Sequence, residues 1–124
     1  MAYPSAPPFH HKFVTVRLAD ISTASSELFV PGFRGKVRKI SAVLAGALSG
    51  ADAELTFEVD GTEVSGSGIT VAEDESAAGD VYSVDIPVLT ATAAFNADSV
   101  ISVETDGAST GAHPVTVTLE LEPV

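Results

Sequence analysis

From Lys12 onward the chain alternates apolar and polar positions with a period of two. Val14, Val16 and Leu18 alternate with Phe13, Thr15 and Arg17, and Leu28 and Val30 form a short second run ended by Pro31-Gly32. Lys36–Leu44 is a third run, closed by the small-residue turn Ala45–Ala51. In Glu54–Asp60 the pattern puts Leu55, Phe57 and Val59 on one face and the acids on the other. Asp60-Gly61 then supplies the positive φ angles of a tight hairpin, which predicts a return through Thr62–Ser65. Ile69–Ala72, Val81–Pro87, Ser99–Thr105 and the alternating Val115–Glu122 complete the set.

Eight or nine short strands separated by Gly-rich turns predict an all-β fold. The expected form is a single antiparallel β-sandwich over residues 12–124, jelly-roll-like or immunoglobulin-like, since period alone does not choose between the two. Only Thr90–Ala97 offers a helical turn, so there are no crossover helices for a parallel sheet. Residues 1–11 break the pattern. Pro4, Pro7 and Pro8 remove backbone donors and favour extended geometry, so this segment reads as an extended N-terminal arm bearing Tyr3 and Phe9.

Charge divides the chain more sharply than hydropathy does. Of 124 residues, six are Lys or Arg and 17 are Asp or Glu, for a net charge of −11. All six bases (Lys12, Arg17, Arg34, Lys36, Arg38, Lys39) precede position 40 with only Asp20 and Glu27 among them, and the remaining fifteen acids follow with no base. Such a surface disfavours nucleic acid, so no nucleic-acid partner is expected. The longest apolar stretch, Ala42–Leu48, is far below the ~20 residues a membrane helix needs, so no membrane partner is expected either. There is no cysteine, which excludes disulfides and thiolate metal sites. An apolar fraction of 45% with only eight aromatics and no Trp suggests a light core that subunit contacts would help to stabilise.

Positions two apart on a strand lie about 6.8 Å apart on one face, so Arg34, Lys36 and Arg38 are expected to form a cationic row with Lys39 on the opposite side. This row and the arm are the candidate partner-binding residues. Glu73-Asp74-Glu75 with Asp80 and Asp85 supplies oxygen atoms, but not the spacing of a calcium loop. His10 and His11 point apart on an extended arm, and His113 is remote in sequence. No Ser sits in a nucleophile elbow, and Gly66-Ser67-Gly68 lacks the lysine and helix of a phosphate loop. The sequence therefore reads as a non-enzyme with no cofactor and no metal.

Five stretches carry a family likeness. They are Phe13–Ser26, Val30–Ile40 (Val-Pro-Gly-Phe-Arg-Gly-Lys-Val-Arg-Lys-Ile), Ala53–Gly61, Val103–Gly111 and Val115–Leu121. Together they resemble the small head decoration (cement) proteins of tailed bacteriophages over most of residues 13–121. The resemblance implies a β-sandwich on the outer surface of the virion capsid. It would be made in the host cytoplasm, bind the major capsid protein lattice, and act as a homo-oligomer, a trimer. It carries no catalytic residues. The expected contacts are Tyr3, Pro4, Pro7, Pro8 and Phe9 of the arm together with Arg34, Lys36, Arg38 and Lys39. The rival reading is a carbohydrate- or receptor-binding module of a tail or fibre, which would need an exposed aromatic platform around Phe33, Tyr82 and Phe95.

Overall fold

Two antiparallel sheets face each other across one apolar core. The computed structural model describes residues 11–73 and 76–124. The strands are β1 (Lys12–Leu18), β2 (Ser25–Phe29), β3 (Gly35–Leu44), β4 (Ala53–Val59), β5 (Thr62–Glu63), β6 (Ile69–Val71), β7 (Val81–Asp85), β8 (Ala94–Phe95), β9 (Ile101–Thr105) and β10 (Val115–Pro123). A 3₁₀ turn, Ala91–Ala93, falls inside the segment expected to form a single helical turn.

The first sheet runs β1-β10-β3-β7 with β8 also on β3, and the second runs β2-β9-β4-β5 with β6 also on β4. Successive long strands cross from sheet to sheet, and the last strand lies between the first and third. That nested order is the jelly roll, not the immunoglobulin arrangement. Every pairing within the two sheets is antiparallel.

The alternation in the sequence becomes the core directly. Val115, Val117, Leu119 and Leu121 of β10, Leu55, Phe57 and Val59 of β4, and Ile101 and Val103 of β9 are buried. The Asp60-Gly61 hairpin has φ of +51° and +82°, the double positive φ of a tight two-residue turn. Asp60 tolerates it because Ser99 Oγ donates to Oδ2 at 2.8 Å and the Val100 N–H to Oδ1 at 2.9 Å.

Strand directions sort the loops into two ends. Gly35, Lys12, Pro123, Asp60 and Phe95 lie at one, called here the arm end because β1 begins there. At the far end are the turns after β1, β3, β6 and β9, where Ser49 bridges Thr110.

Candidate docking interface

The four cations at the start of β3 do not form the simple row expected of a regular strand. Val37 pairs with Leu121, Lys39 with Glu120 and Ile40 with Leu119, so Arg38 is an extra residue, a β-bulge. The bulge lets both Val37 and Ile40 point inward, where each is buried. Lys39 is therefore on the outer face with Lys36, not on the opposite side. The conflicting parity of Val37 and Ile40 in the sequence was the signal of this bulge.

Much of this positive charge is answered within the domain. Arg38 Nη1 donates to Glu122 Oε1 at 2.8 Å, and Lys39 is flanked in register by Glu120 of β10 and Asp85 of β7. His11 Nδ1 meets Glu120 Oε2 where the chain enters β1. The Arg38 guanidinium, first through its hydrogen bond and then through its charge, holds the Glu122 carboxyl below the usual carboxylate range; His11 and Lys36 add smaller charge effects. Lys36 Nζ donates to the Val88 carbonyl at 3.2 Å. Arg34 is exposed and makes no ion pair among the described residues.

Arg34 and Lys36 border a cleft of about 390 Å³ at the arm end, between the start of β3 and the loop after β8. Its apolar wall is Phe95, Ala94 and Val124, and Asn96, Ser99 and Asp60 supply polar atoms. Phe95 is only 3% exposed and meets Phe33 edge to face, with ring centroids 5.6 Å apart. Gly35 lies between the two cations because a Cβ there would stand 2.4 Å from the Glu122 carbonyl oxygen. The sequence reading missed this cleft, whose walls come from four separate stretches of chain: Arg34–Lys36, Asp60, Ala94–Ser99 and Val124.

The acids divide by residue type. Asp20, Asp52, Asp60, Asp80 and Asp106 all accept backbone N–H groups in turns. The Ser22 side chain and backbone, with Thr23 and His113 contributing less, hold the Asp20 carboxyl below its usual range. The Val100 N–H and then the Ser99 hydroxyl do the same for Asp60. Glu54, Glu58, Glu63 and Glu104 instead take the outward parity of the second sheet, with no base among them. Every base lies on β1, on β3 or in the turn before β3, so all belong to the first sheet or its margin.

Of the residues expected to bind a partner, the structure places Arg34, Lys36, Arg38 and Lys39 together at the arm end. Tyr3, Pro4, Pro7, Pro8 and Phe9 lie outside the described residues, as do Asp74 and Glu75 of the acidic loop. His11 is the one described residue of the arm. The aromatic platform required by the carbohydrate-binding reading does not form at the positions named for it. Phe95 is buried, and Phe33 and Tyr82 pack against the core. Among the described residues the exposed aromatic is Phe13.

Among the described residues no group of three or more His, Asp or Glu side chains is placed to hold a metal ion. No helix there is long and apolar enough to cross a membrane. Compared with known proteins, the chain matches no family model and no curated protein.

Proposed function

We propose that this chain is a non-enzymatic structural protein that decorates a bacteriophage head, seating its arm end on the outer face of the major capsid lattice. The observation that carries the reading is the convergence of Lys12, Arg34, Lys36, Arg38 and Lys39 on the end where the arm joins β1. Segregated charge orients a small domain as it approaches a larger surface. The acid-bearing outer face of the second sheet, with Glu54, Glu58, Glu63 and Glu104, would remain toward solvent. Arg34 and Lys36 are the cations in contact with the shell, because Arg38 is committed to Glu122 and Lys39 lies between two carboxylates. The jelly roll supports the reading at the level of architecture, since capsid domains use it; lectin domains use it too. Binding to the assembled lattice alone stabilises that lattice by mass action, and many copies add their effects.

Co-sedimentation with heads that lack the chain tests the proposal. Arg34→Glu with Lys36→Glu is expected to lower occupancy at least tenfold with the fold unchanged by circular dichroism. Deletion of residues 2–11 is expected to weaken occupancy independently. Full occupancy by both variants would exclude the arm end as the bound end.

A further inference from the structure

β1 is an edge strand that is left open. It pairs with β10 on one side, and among the described residues no strand pairs with the other. Proteins usually guard such edges with proline, a bulge or a charge in mid-strand. β2, the neighbouring edge in the facing sheet, has Glu27 at its centre with the parity of inward residues. The centre of β1, Val14-Thr15-Val16, has no such guard. Val14 and Val16 have inward parity yet remain only partly buried, and Phe13 on the outer face is 65% exposed.

We propose that β1 is a self-pairing edge: two copies of this chain join β1 to β1 antiparallel about a twofold axis at Thr15, and each copy's Lys12 enters a pocket beside Glu27 of the other. The seven-residue strand is self-complementary in that register. Val14 faces the partner's Val16 on the inner side, and Thr15 faces the partner's Thr15 across the axis. Phe13 faces the partner's Arg17 on the outer side, where a guanidinium can lie over an aromatic ring. The Val14–Val16 and Phe13–Arg17 contacts each occur twice, and Arg17 makes no ion pair within its own chain among the described residues.

The ends of the register give the pairing its specificity. Lys12 falls opposite the partner's Leu18 and shares its inward parity. Leu18 lies in the wall of a pocket of about 320 Å³ whose other walls include Asp20, Ser25 and Glu27. Asp20 is already committed to Ser22 and Thr23, so Glu27 is the carboxylate available to the incoming ammonium. A net charge of −11 per copy does not prevent the pairing, because charges farther away than a Debye length of ~8 Å at physiological salt are screened. A self-complementary edge closes at two copies, and antiparallel pairing points their two arm ends in opposite directions. The pair is therefore a state of the free chain, which separates for a copy to seat its arm end, with Lys12, on the shell.

Sedimentation equilibrium of the isolated chain tests this without any capsid. At roughly 100 µM, where a pair with Kd of ~10 µM is mostly associated, the wild type should weigh two 12.7 kDa chains. Thr15→Lys, which sets two ammonium groups on the axis, should give a single chain with an unchanged circular dichroism spectrum. Lys12→Glu should weaken association at least tenfold, and adding Glu27→Lys should restore it. A wild-type mass of one or three chains overturns the proposal, as does an unchanged mass for Thr15→Lys. Failure of Glu27→Lys to rescue Lys12→Glu would also overturn it.

Discussion

Individual side chains in this protein have separate electrostatic tasks that its composition merges. Asp20, Asp52, Asp60, Asp80 and Asp106 close turns by accepting backbone N–H groups, while Glu54, Glu58, Glu63 and Glu104 cover the outward face of the second sheet. Three carboxyls, Asp20, Asp60 and Glu122, have lowered pKa values for local reasons: Ser22 for the first, Val100 for the second, Arg38 for the third. A carboxyl whose pKa is lower folded than unfolded contributes stability above its unfolded value. That contribution is lost as pH falls through the lower folded value. The urea midpoint is therefore expected to fall as the pH drops below the unfolded carboxylate range of ~4. Asp60→Asn and Asp20→Asn should each flatten that dependence, and an unchanged slope in both would show that these turns do not couple folding to protons. In the core, Phe57 is 1% exposed, and Phe57→Ala is expected to cost about 3–5 kcal/mol in urea unfolding.

At the scale of elements, the period-two pattern was enough to find the strands, because burial on one face imposes it residue by residue. It also located the Asp60-Gly61 hairpin, where side-chain chemistry and backbone geometry coincide. It did not show the β3 bulge as such, although Val37 and Ile40 three positions apart, both apolar, broke the alternation there. Strand order was not legible, because pairing β10 between β1 and β3 depends on contacts remote in the chain, such as Lys12 with Leu121 and Gly35 with Pro123. The cleft beside Arg34 was hidden for the same reason. Gly35 has no local reason to be glycine; the reason is the β10 carbonyl across the ladder. Gly35→Ala is expected to force β3 and β10 apart and cost about 1–3 kcal/mol, measured by urea unfolding. An unchanged midpoint would mean that the end of the ladder yields freely.

For the whole molecule, the split of charge along the chain becomes a split in space because β1 and β3 belong to one sheet. That sheet brings its own acids as well: β10 and β7 set Glu120, Glu122 and Asp85 among the cations. The basic end is therefore less a broad positive field than a few cations around a cleft, with Arg34 the least compensated. Salt should accordingly weaken docking only modestly. A steep loss of head occupancy between low and physiological ionic strength would point to a more diffuse electrostatic attachment.

An image reconstruction of the chain on a bacteriophage head tests the proposed docking most directly. The cleft edged by Arg34 and Lys36, with the start of β1, is expected to face the capsid shell, while Glu54 and Glu58 of the second sheet face solvent. Density that joins the shell to the second sheet, or to the far-end turns around Ser49 and Thr110, would contradict it.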